Sequence, residues 1–218
     1  MIIEYCYYDI AAKDLELIEN INKATKYNIS SLSVLPSQIK PIKAILPDSV
    51  KLSTPIDYPF GILDSQSRLS VVEYAIKNEA QIIDVVCPTY YLCNRKYEKF
   101  REDIKNIQSL CSESTEVRYI LEYRQFTYEL LYKIAQILFD FNIKTIYPAS
   151  GYSLDDISDN ILAAALINKR VPQINIISNG NLWNDSHIKL VKNSLLYGLR
   201  VNSLNALELL SKENILEN

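Results

Sequence analysis

A chain of 218 residues with 48% hydrophobic and 22% charged side chains has enough apolar surface to offset the entropy of ordering, which excludes a disordered protein. Four glycines and eight prolines exclude collagen-like or Gly/Pro-rich low-complexity sequence. The net charge of -3 lacks the basic excess that phosphate backbones require, so no nucleic acid is expected as a partner. No run approaches the about 18 uncharged apolar residues of a membrane span, so no membrane is expected either.

Taken in chain order, short β-branched runs alternate with helical stretches. A first strand is expected at Ile2–Tyr7. The start Met1-Ile2-Ile3-Glu4 lacks the basic and apolar regions of a signal peptide. Further strands are expected at Ser31–Leu35, Val50–Ile56, Gln81–Cys87, Glu116–Glu122, Lys144–Pro148, Gln173–Ser178 and Leu199–Asn202. Between them, apolar residues recur at three- and four-residue spacing. The clearest helix is Asn94–Leu110, through Tyr97, Phe100, Ile104, Ile107 and Leu110. Phe126–Phe139, Leu154–Ile167 and Asn184–Leu196 follow the same pattern. Asp185 or Ser203 would cap a helix start, and Gly198 would cap a helix end. Eight strands and eight helices in strict βα order imply a parallel sheet covered by helices. Closed on itself, this is a single (β/α)8 TIM barrel occupying residues 1–218, with an open doubly wound sheet as the competing architecture. The Gly-rich nucleotide turn is missing after the first strand, which reads Tyr7-Tyr8-Asp9-Ile10.

Cys6, Cys87, Cys93 and Cys111 have no CxxC spacing and only His187 to assist them. No metal site, no cofactor and no disulfide framework is expected. Reduced thiols point to a cytoplasmic protein. His187 falls on the polar side of its helix and reads as a solvated surface residue. Trp183 reads as the packed start of that helix.

Barrel chemistry sits at the carboxyl ends of the strands. Alternation lists Glu4, Ser33, Thr54, Asp84, Glu122, Tyr147, Ser178 and Asn202 as polar groups aimed into the mouth. Asp84 stands out, because a carboxylate inside Ile82-Ile83-Asp84-Val85-Val86 costs several kcal/mol unless it is paired. Glu122 is a weaker case, and pairing with Arg124 or a neighbouring lysine would explain it. The turns at Gly151, Gly180 and Asn202-Ser203 each precede a helix and could offer backbone N–H groups to a phosphate.

These segments resemble the deoxyribose-phosphate aldolase family. Ser33-Val34-Leu35-Pro36-Ser37 is similar to its second-strand turn "VCVNP". Val50–Gly61 is similar to "VKVATVIGFPLG". Ile83-Asp84-Val85-Val86 is similar to "IDMV", and Ile120-Leu121-Glu122 to "ILE". Ile146–Tyr152 is similar to "VKTSTGF", and Ile176–Gly180 to "KASGG". The resemblance runs from about residue 30 to 206 in order and spacing, and it implies the barrel. The family forms an imine on a sixth-strand lysine, assisted by a seventh-strand lysine and a fourth-strand acid. By position the acid is Asp84, whereas Tyr147 and Ile176 stand at the two lysine positions. Asn179 and Asn202 stand where glycine would admit a phosphate, implying weakened phosphate binding.

Three readings stay open. One is a divergent lyase or isomerase acting on a small, phosphorylated or unphosphorylated metabolite. Asp84, Tyr147 and Glu122 would be its catalytic acid/base groups, with Glu4, Thr54, Ser178, Gly151, Gly180 and Ser203 binding substrate. Another is a catalytically inactive aldolase homologue serving as a metabolite-binding or protein-interaction module. The third is a structural component. A small-molecule metabolite in the barrel mouth is the expected partner, with a homodimer left open. Asp84 is expected to lie buried within hydrogen-bond reach of Tyr147, directly or through a shared water.

Overall fold

The computed structural model describes residues 1–153 and 156–216. Eight parallel strands follow one another around a closed barrel: β1 (Ile2–Tyr7), β2 (Ser31–Val34), β3 (Lys51–Ile56), β4 (Ile82–Val86), β5 (Glu116–Ile120), β6 (Thr145–Tyr147), β7 (Asn175–Asn179) and β8 (Gly198–Val201). The barrel closes where Glu4 of β1 stands beside Arg200 of β8. β2 and β4 are buried along their whole length, as strands packed on both faces must be.

The expected strands are all present, each matching its predicted span to within two residues at either end. Around them run α1 (Asp14–Ala24), α2 (Ile39–Lys43), α3 (Ser65–Lys77), α4 (Thr89–Cys93), α5 (Tyr97–Leu110), α6 (Tyr128–Asp140), α7 (Ile157–Asn168), α8 (Asp185–Lys192) and α9 (Leu204–Lys212). Nine helices among the described residues replace the expected eight because the β4–β5 crossover holds two. Arg95 takes φ 55°, a left-handed conformation that ends α4 and delays α5 to Tyr97. The expected start of α7 at Leu154 lies outside the described residues.

Short polar side chains start the helices by satisfying orphan N–H groups. Asp64 accepts from the Ser67 N–H, Thr127 from that of Leu130, and Ser203 from that of Ala206. For α8 the cap is Asn184, which accepts from Ser186 and His187, rather than Asp185. Gly198 is not a helix cap but the first residue of β8. A Cβ there would stand 2.6 Å from Ile2 Cγ1, so the barrel wall needs glycine at that point.

The core has two parts. The large one lies between barrel and helices. The small one is inside the barrel, where Val86, Ile120, Tyr147 and Ile177 meet, flanked by Ile2 and Tyr58. α5 turns Phe100, Ile104 and Ile107 inward as its spacing predicts, but it also buries Asp103. That carboxylate meets Arg68 of α3 at 3.1 Å, and Arg68 also reaches Asp57 at 2.9 Å and the Val86 carbonyl. Asp57 in turn accepts from the Ile62 and Leu63 N–H groups, fixing the loop after β3.

Candidate functional site

The barrel interior is filled by charge. Glu4, Asp84, Arg118, Tyr147 and Arg200 project from β1, β4, β5, β6 and β8 toward the axis, and all are buried. Arg200 is central. It donates through Nε to Glu4 Oε2 (3.0 Å) and through Nη2 to Asp84 Oδ2 (2.7 Å) and the Tyr147 hydroxyl. Its guanidinium carbon lies 4.2 Å from the centre of the Tyr147 ring. The Tyr147 hydroxyl also accepts from Arg118 Nη1 (2.8 Å) and donates to Glu4 Oε2 (2.9 Å). Arg118 pairs with Glu4 and with Glu116, which lies nearer solvent. Toward the carboxyl ends of the strands, Asp84 accepts from Ser53. Ser53 contacts Ser33 at 3.3 Å, and Ser33 shares a 2.7 Å hydrogen bond with Tyr8.

Two arginines thus face two fully buried carboxylates, and the charges balance. Burial by itself raises the Glu4 carboxyl, but Arg200 and Arg118 outweigh it and hold Glu4 at about 2. Burial also drives the Tyr147 hydroxyl well above its ordinary value, against the pull of Arg200. Burial disfavours the Arg200 cation, yet Asp84, Tyr147 and Glu4 together stabilise it further. Arg118 is likewise held charged, by Tyr147 and Glu4.

The expectation for Asp84 and Tyr147 takes an unforeseen form. The two are joined through the Arg200 guanidinium, each hydrogen-bonded to its Nη2. Glu4 is inside, as listed by alternation. Thr54 and Ser178 are not. Ser53 and Ile177 occupy the inward positions, so their neighbours face the helices. Thr54 donates to the Val34 carbonyl, and the Ser178 hydroxyl has no partner. Ile176 likewise packs in the helical shell, and the inward neighbour of Tyr147 is Ile177. A carboxyl-side register one residue out produces these corrections, because strand faces alternate every residue.

Glu122 lies beyond β5 with φ 58°, and its carboxylate accepts the Ser150 N–H. It lines a cleft of about 420 Å³ at the carboxyl ends of the strands, together with Phe60, Tyr90, Gln125, Ser150 and Tyr152. A train of rings leads from the interior to this cleft. Tyr8 meets Tyr58 at 4.9 Å, Tyr58 meets Tyr152 at 6.1 Å, and Tyr152 meets Phe60 at 5.4 Å.

Gly151, at φ 76°, packs on the Asn179 side chain, which donates to the Ser150 carbonyl at 2.6 Å. Gly180 sits against Ile157 of α7, and the Ser203 hydroxyl is engaged as the α9 cap. Asn202 is exposed and donates to Asn181. His187 is buried rather than solvated. Its Nε2 lies 3.6 Å from Asp156, and Trp183, more than half exposed, precedes α8. Among the described residues no cluster of His, Cys, Asp or Glu is arranged to hold a metal ion. No described helix is long and apolar enough to cross a membrane.

Sequence reasoning missed Arg118 and Arg200. The signal was available, because Arg200 stands two positions before Asn202 and Arg118 four before Glu122, so they share those residues' inward parity.

The chain is 26% identical over 180 residues to the deoxyribose-phosphate aldolase of Mycoplasmopsis pulmonis, covering 82% of this chain and 80% of that protein. It is 27% identical over 143 residues to that of Metamycoplasma hominis, covering 65% and 64%. The chain resembles deoxyribose-phosphate aldolases in sequence and in fold. The aldolase QR15 superposes with a TM-score of 0.85 at 19% identity, over 98% of this chain and 96% of its own. A putative deoxyribose-phosphate aldolase from Coccidioides immitis gives 0.83 at 15% identity, over 98% and 85%. At these identities the structures speak for the fold. No protein-family profile matches the chain.

Proposed function

We propose that this aldolase-like barrel is a non-catalytic relative of the deoxyribose-phosphate aldolases. In this reading it binds a small molecule at the cleft by Glu122 and performs no imine chemistry in its interior. The observation that carries the reading is Arg200, fully buried and paired with both Asp84 and Glu4. Imine formation needs a deprotonated amine with access to an aldehyde. Tyr147 offers a phenol at the sixth-strand position, Ile177 an alkyl group beside it, and every described lysine is at least partly exposed outside the interior. The acid/base alternative would need Asp84 and Tyr147 to join Glu122 at a substrate. Both are fully buried, and both are already engaged by the Arg200 guanidinium.

The test is incubation with acetaldehyde or 2-deoxyribose 5-phosphate in the presence of cyanoborohydride, followed by intact-mass measurement and an assay for released aldehyde. Low-level alkylation spread over the exposed lysines, with no single site modified stoichiometrically and no turnover, is expected. A stoichiometric adduct on one lysine, with turnover, would refute the reading.

A further inference from the structure

The clasp that anchors the loop after β3 sets one buried cation against two buried acids. Arg68 of α3 lies between Asp57 in that loop and Asp103 of α5, and all three side chains are at most 3% exposed. With both carboxyls ionised, a net negative charge would stand between barrel and helices, where an uncompensated charge is strongly disfavoured. The hydrogen bonds decide which acid carries the charge. Asp57 accepts from the Ile62 and Leu63 N–H groups and from Arg68 Nη1, and such donors favour the ionised form. Asp103 lies 3.1 Å from Arg68 Nη2, but that nitrogen donates to the Val86 carbonyl. Neither Asp103 oxygen has a hydrogen-bond partner among the described residues. We propose that this clasp is a proton-sensitive anchor for the loop that carries Phe60: Asp103 is protonated while Arg68 holds Asp57, and the hold loosens when Asp103 ionises and competes for the guanidinium.

Three further observations support it. Burial raises the Asp103 carboxyl above its ordinary 3.8, against the pull of Arg68 and with the push of Asp57. The other titratable groups facing the clasp supply no positive charge. Tyr119 of β5 and Cys87 after β4 are pushed upward by burial and stay neutral, as does Cys111 after α5, pushed up to about 11. Finally, Asp57 closes the loop twice. Its carbonyl accepts the Gly61 N–H at 2.9 Å and its carboxylate the N–H groups of Ile62 and Leu63, so Phe60 is held inside the turn that Asp57 ties. Arg68 is thus the link through which the charge on α5 reaches the rim of the cleft.

Urea unfolding of the wild-type protein and of Asp103→Asn, from about pH 4 to about pH 9, tests the proton site. The folded value of Asp103 lies above the unfolded one, so its stabilising share is complete below 3.8 and is lost as pH rises through the folded value. The wild-type midpoint should fall over that rise. Asp103→Asn keeps the shape of the neutral acid, so its midpoint should lack the fall and end higher than wild type. Amide exchange at Ile62 and Leu63, corrected for the intrinsic pH dependence, should quicken severalfold over the same range in the wild type alone. A titration of the wild-type Asp103 carboxyl carbon by NMR reads the site without any variant. A carboxyl titrating at or below 3.8, the same pH slope in both proteins, or loop amides indifferent to Asp103 would each overturn the proposal. No ligand or aldehyde enters these measurements, so the borohydride experiment is decided separately.

Discussion

At the scale of single residues, the barrel interior behaves as one ionic unit. Arg200→Met would leave Asp84 and Glu4 short of a counter-charge in a fully buried place, and removing one partner of a buried pair costs about 3–5 kcal/mol. Urea unfolding of the variant should show that loss. A change under about 1 kcal/mol would mean the network is not paired as described. Tyr147→Phe removes a hydroxyl that accepts from both arginines and donates to Glu4, and should cost about 1–3 kcal/mol in the same measurement. Glu4 sets a pH dependence. Its folded value of about 2 lies below the ordinary 4.5, so its contribution is complete above about 4.5 and disappears as pH falls through about 2. The shift corresponds to a contribution on the order of 3 kcal/mol. Urea midpoints should therefore decline steadily across that window. A flat profile down to pH 2 would contradict the pairing of Glu4 with Arg118 and Arg200.

At the scale of elements, the sequence announces strands more clearly than the facing of their side chains. β-Branched runs and three-four spacing locate β1 to β8 and the helices α5 to α8, because these patterns follow directly from strand and helix geometry. Facing is harder to read. In β4, Asp84 among isoleucines and valines marks itself as costly and is correctly placed inside. In β3 and β7, polar Thr54 and Ser178 look like interior candidates but face the helices, while Ser53 and Ile177 turn in. Nothing in a run buried on both faces distinguishes the two sides, since hydrophobicity no longer alternates. Arg118 and Arg200 escaped for a related reason. An arginine in a strand ordinarily reads as an exposed residue, and only the carboxylates of β1 and β4, far away in sequence, make its burial affordable. Gly198 misleads as a helix cap because its true constraint is Ile2, across the barrel closure. Gly198→Ala should therefore destabilise by about 1–3 kcal/mol through overpacking, read as a fall in thermal midpoint. Ser203→Ala should cost about 1 kcal/mol through loss of the α9 cap.

At the scale of the whole molecule, the aldolase-like barrel and its interior point in different directions. The closed eight-stranded wall follows the architecture of aldolases, with 98% of the chain superposing on QR15. Its interior holds two arginines locked to two carboxylates. The rings of Tyr8, Tyr58, Tyr152 and Phe60 connect that sealed interior to the surface cleft. The proposed division is between a core that stabilises the barrel and a rim that meets ligand. The most direct test is a crystal structure after soaking with 2-deoxyribose 5-phosphate. The account predicts that Arg200 stays within hydrogen-bond distance of Asp84, Glu4 and Tyr147, with no ligand density among them. Sugar density between Asp84 and Tyr147, with Arg200 swung away, would contradict it.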